Sequence, residues 1–91
     1  MEITLDTKTQ HIDIAAVPDN RVTKPPRITV WNQERDSLHV HFEPDQWIIL
    51  ARNGWTHAVN VYVFASAQAA QNFADIAGHS FESIEWLQKP T

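Results

Sequence analysis

From Arg27 onward, hydrophobic and polar residues alternate with a period of two, the pattern of half-buried strands. Ile28 and Val30 mark a first strand, Leu38, Val40 and Phe42 a second, and the β-branched and aromatic runs Gln46 to Arg52 and Trp55 to Phe64 a third and fourth. Residues 27–64 are therefore predicted to form a four-stranded antiparallel meander. Asn53-Gly54 is the strongest hairpin signal in the chain, because a type I′ turn needs positive φ at both central residues. Glu43-Pro44-Asp45-Gln46 supplies a second turn, with proline presetting φ at its second position.

If both reversals are two-residue loops, the register follows. Arg52 then opposes Trp55, Leu50 opposes His57, His41 opposes Ile48, and His39 opposes Leu50. This places His39, Leu50 and His57 in one row, on a face with Glu43, His41, Ile48, Arg52, Trp55 and the valines at 59, 61 and 63. The opposite face carries Leu38, Val40, Phe42, Trp47, Ile49, Ala51, Tyr62 and Phe64.

After Ser66, a good N-cap, the period changes. Ala69, Ala70, Phe73, Ile76 and Ala77 form one helical stripe, and Gly78 suits a left-handed C-cap, which predicts a helix over 66–77. Its small residues let it lie close to the sheet face that carries Ala51 and Ala58. Residues 81–87 are predicted to form a final strand, with a short helix through Phe81, Ile84 and Leu87 as the alternative. Near the start, Ile3 and Leu5, then Ile12, Ile14 and Ala16, alternate in opposite phases, so residues 1–17 predict one hairpin or two short strands. Pro18, Pro25 and Pro26 make 18–26 a connecting loop. The expected architecture is one α+β domain over 1–91: an antiparallel sheet of five to six strands, one helix on one face, and a C-terminal strand.

Composition supports a globular chain, with 91 residues of which 43% are hydrophobic and 20% charged. There is no cysteine, which excludes disulfides and thiolate metal sites and fits a reducing compartment, so a cytoplasmic location is expected. The net charge of -4, with no run of Lys or Arg, lacks the footprint of duplex nucleic acid or of an anionic membrane. The apolar run Trp47 to Ala51 is far short of the roughly 18 residues of a membrane span, and the Met1-Glu2-Ile3 start has no basic leader pattern.

His39, His41 and Glu43 carry the most suggestive chemistry, two imidazoles and a carboxylate on one side of a strand. On one strand, however, they lie along a line of about 13 Å, and His57 sits roughly 10 Å from His39 across the predicted sheet, so neither convergence on one ion nor a cofactor is expected. These four residues remain the metal candidates, and the plainer reading is a polar stripe. Neither glycine brackets a serine in a nucleophile elbow, and the paired acids Glu82 and Glu85 are explained by solvation, so an enzyme is not expected.

Four tryptophans are many for this length. Trp47 and Trp86 fit a core, whereas Trp31 and Trp55 adjoin turns, as interface anchors do. The apolar half of the histidine face needs cover from the N-terminal strands, a second copy or a partner. The expected function is thus a small non-catalytic module for protein–protein contact or self-association as a homodimer, of the inhibitor, immunity or mobile-element accessory kind. Its partner-binding residues are Trp31, His39, His41, Arg52, Trp55 and His57. The alternatives are a histidine-based metal-binding protein or metalloenzyme, and a single-stranded nucleic-acid binder stacking bases on Trp55.

Overall fold

Alternation of apolar and polar residues becomes seven strands in the computed structural model, which describes residues 2–17, 26–33 and 35–90, without the side chains of 30–33. In chain order they are β1 (Glu2–Asp6), β2 (Ile12–Ala16), β3 (Thr29–Gln33), β4 (Ser37–His41), β5 (Trp47–Arg52), β6 (Val59–Phe64), the helix α1 (Ala67–Ile76) and β7 (Ser83–Gln88). The fold is α+β, mostly antiparallel, with its helix before the C-terminal strand. Of the loop expected over 18–26, all but Pro26 lies outside the described residues.

The strands divide between two sheets, one of three strands in the order β1-β4-β3 and one of four in the order β2-β6-β5-β7. The small sheet covers one face of the large sheet and α1 covers the other. Between the sheets, Val40 and Phe42 pack with Ile48, Val59, Val61 and Val63, all of them buried, with Ile3, Leu5, Ile12 and Ile14 at the margin. Between sheet and helix, Ile49, Phe64 and Ala70 are buried among Trp47, Tyr62, Phe73, Ile84 and Trp86. Apolar residues on both faces of β5 and β6 reflect this double cover.

This arrangement corrects the predicted meander. The turn at Glu43 to Gln46 forms, with the Gln46 N–H donating to the Glu43 carbonyl at 3.2 Å, but it leads into no hairpin. Instead β4 pairs with β1 and β3, so no row through His39, Leu50 and His57 exists. The chain turns a corner here and folds Val40 and Phe42 back over Ile48 and Val61. Burying two apolar strand faces against each other removes more surface from water than one open sheet does. Gln46, only 4% exposed, holds the corner: its side chain accepts from the Glu43 N–H at 2.9 Å and donates to the Arg27 carbonyl at 2.6 Å. Gln88 on β7 donates to the carbonyls of Glu43 and Gln46.

The second reversal does form a hairpin, but with a longer loop. Arg52 pairs with Val59 rather than Trp55, and Leu50 with Val61 rather than His57, an even slip of four residues that leaves the faces of β5 and β6 as predicted. Gly54 does not adopt positive φ; the left-handed residue is His57, at φ 60. Nor does Gly78 cap the helix in a left-handed conformation. Ala77 closes α1 in the right-handed region, and the following Gly78–Ser80 makes one 3-10 turn. A side chain at Gly78 would press on Ile84 Cδ1 at 3.2 Å, so close packing accounts for this glycine. Ser66 is the N-cap expected, accepting from the Ala69 N–H.

The N-terminal residues form two short strands rather than a hairpin. Asp6 shapes the connection by accepting from the Lys8 N–H and the Thr9 hydroxyl. β2 then enters the large sheet parallel to β6, an exception to the antiparallel pattern.

Candidate functional site

The predicted contact residues fall into two groups at different places. His39 and His41 sit on the outer face of the small sheet, because their neighbours Leu38 and Val40 on β4 turn inward. Thr4 Oγ1 lies 3.0 Å from His39 Nδ1, and Glu2 Oε1 lies 3.7 Å from His41 Nδ1. Glu43 Oε1 lies 3.8 Å from His41 Nε2, on the other ring nitrogen. The two carboxylates thus flank the imidazole instead of converging with it on one point, and such exposed pairs contribute little stability. Among the described residues no group of three or more His, Asp or Glu side chains is placed to hold a metal ion. Trp31 occupies the step in the β3–β4 register between Val30 and Asn32, and its side chain lies outside the described residues.

Arg52, Trp55 and His57 gather at one end of the molecule, where β5 turns into β6 and the 7–11 connection passes. Arg52 Nη1 donates to Gln10 Oε1 at 3.2 Å, which ties the hairpin to that connection. His57 lies in the β5–β6 loop, whereas His41 and Glu43 lie where the chain leaves β4, so the four predicted metal candidates do not come together.

Residues 53–58 are tied together by hydrogen bonds of their own. The Asn53 N–H donates to the Ala58 carbonyl and the His57 N–H to the Asn53 carbonyl, both at 2.9 Å. Asn53 Oδ1 accepts from the backbone N–H groups of Trp55 and Thr56, and Thr56 Oγ1 accepts from the Ala58 N–H. Asparagine therefore acts as the side-chain cap of a wider loop, not as the left-handed residue of a tight one. Gly54 lies against Glu82, the residue before β7: a Cβ there would stand 3.1 Å from the Cβ of Glu82. Asn53 as a side-chain acceptor and Gly54 as a point of close approach are what the two-residue reading of the loop missed. Thr56, three positions after an asparagine, was the available signal for a loop of this kind.

On this tied backbone Trp55 projects into solvent, 94% exposed. An indole held out by a hydrogen-bonded loop offers a large apolar surface whose ordering cost is already partly met. The arrangement supports contact with another apolar or aromatic surface.

Elsewhere, Tyr62 on β6 packs against Phe73 and Phe81, and burial, followed by the nearby Asp13 carboxylate, raises its phenol above the ordinary value of 10.0. Among the described residues no helix is long and apolar enough to cross a membrane. Comparison with known proteins gave no match to a family model, to a curated protein or to a solved structure.

Proposed function

We propose that this chain is a non-catalytic protein-binding module whose principal contact is the Trp55 loop. Support comes chiefly from one observation: the most exposed large apolar side chain described is also one whose backbone is fixed by its own loop. Tryptophan on a preorganised support is the residue type that most often dominates a protein interface. Arg52, bonded to Gln10 beside the loop, supplies a rim donor, and the net charge of -4 favours a protein partner over a nucleic acid. An inhibitor, an immunity factor or an accessory subunit would use such a module, and the lack of cysteine suits work in the cytoplasm.

The test is paired capture from the source cells with the wild-type chain and Trp55→Ala as baits, followed by affinity measurement for proteins held by the first alone. Loss of the indole should weaken binding by about 30-fold or more while far-ultraviolet circular dichroism stays unchanged. Identical captured sets and equal affinities on both baits would refute the assignment.

A further inference from the structure

We propose that β2 is a pairing edge for a second copy of this chain, joining two four-stranded sheets into one of eight strands about a two-fold axis. Among the described residues the sheets have four edges, β1 and β3 in the small sheet, β2 and β7 in the large one. Exposed edges invite pairing, and proteins guard them with bulges, prolines or opposed charges. The β3 ladder slips by one residue at Trp31 and the β7 ladder at Leu87, and Lys89 and Pro90 follow β7.

β1 is regular, but its charges oppose self-pairing. Thr7 donates its N–H to Asp36, so odd-numbered residues face β4 and the backbone groups of Glu2, Thr4 and Asp6 face outward. Two copies paired through these groups about Thr4 would set Glu2 directly across from Asp6 twice, a repulsive arrangement.

β2 is followed by a proline, as β7 is, but its own five residues carry neither a ladder slip nor charges that oppose each other on self-pairing. Its register with β6 is unbroken from Ile12 to Ala16. The Val59 N–H donates to the His11 carbonyl and the Val17 N–H to the Val63 carbonyl, so residues 11, 13, 15 and 17 face β6. Ile12, Ile14 and Ala16 thus turn three N–H and three C=O groups outward. An antiparallel partner centred on Ile14 pairs Ile12 with Ala16 of the partner copy, Ile14 with its own copy, and Ala16 with Ile12, and three pairs of two bonds satisfy all six groups. Opposed side chains agree as well. Half-buried Ile12, Ile14 and Ala16 meet each other beside the inter-sheet core, and exposed Asp13 meets exposed Ala15, so no like charges are directly opposed. The two Trp55 loops then lie at opposite ends of the joined sheet.

Sedimentation velocity of the full chain across a concentration series tests this, together with three variants whose fold is checked by circular dichroism. Ala15→Asp places a carboxylate opposite Asp13 of the partner on a solvent-exposed position. Ala16→Pro removes an outward N–H that β6 does not use. Both should lower dimer affinity at least tenfold, and adding Asp13→Lys to Ala15→Asp should restore it, as only this register allows. Amide exchange of the wild type gives an independent readout: protection at Ile12, Ile14 and Ala16 should rise with protein concentration. A wild-type chain still monomeric at about 1 mM, a dimer indifferent to both variants, or concentration-independent exchange at those amides would each overturn the proposal.

Discussion

The two reversals that bound β5 look alike in sequence and do different things. Glu43-Pro44-Asp45-Gln46 and Asn53-Gly54 both join alternating apolar runs through strong turn formers. The second makes a hairpin, with Arg52 paired to Val59. The first moves the chain from one sheet to the other. What separates them is burial around the corner. Phe42 and Gln46 are both buried beside the first reversal, whereas Gly54, Trp55, Thr56 and His57 are all exposed in the second. A reversal flanked by buried residues is anchored from outside itself, and one made of exposed residues is held by its own hydrogen bonds.

The difference can be broken from either side. The largest effect belongs to the corner: Phe42→Ala empties a fully buried site between the sheets and should cost about 3–5 kcal/mol in denaturant unfolding. Next, Gln46→Leu strands the Glu43 N–H and the Arg27 carbonyl and should cost about 1–3 kcal/mol, read by the same method. At the hairpin, Asn53→Ala removes two local hydrogen bonds at the surface and should cost about 1 kcal/mol. If the Trp55 loop is the contact, this variant also weakens binding with Trp55 still in place. An equal cost for Asn53→Ala and Phe42→Ala would erase the distinction.

The smallest effect is a pH dependence that sharpens the account of β6. Tyr62 is raised by burial first and by Asp13 second, so its neutral form is favoured in the fold. Stability from this group is complete below the unfolded phenol value near 10.0 and falls as pH rises through the higher folded value. Unfolding measured between about pH 9 and 11 should show that decline in the wild type and a smaller one in Tyr62→Phe.

Much of the fold was legible from period alone. The presence of strands near 27–31, 37–43, 46–52 and 59–64, the Ser66 cap, the Ala70 and Phe73 stripe and the last strand follow from spacing and local chemistry, whereas residues 55–58, read as the start of the fourth strand, are loop. Faces within the β5–β6 pair survived a four-residue error in register because an even slip preserves side-chain direction. Pairing was less legible. Nothing local to Ser37 to Glu43 distinguishes a neighbour of β5 from a strand lying over it, since the alternation is the same in both. The sheet-switching corner is fixed by contacts remote in sequence, Gln46 to Arg27 and Gln88 to Glu43. The candidate site suffered accordingly: Trp55 kept its exposed place, while His39 and His41 went to a different sheet from the hairpin.

β4 lies over β5 and β6 rather than beside β5, and nuclear Overhauser contacts in the isotope-labelled chain are the most immediate check. Backbone contacts are expected from Val40 to Ile3 and from Leu38 to Leu5, with methyl contacts from Val40 into the Ile48 and Val61 cluster. Backbone contacts from His41 to Ile48 and from His39 to Leu50 would contradict it and restore a single meander.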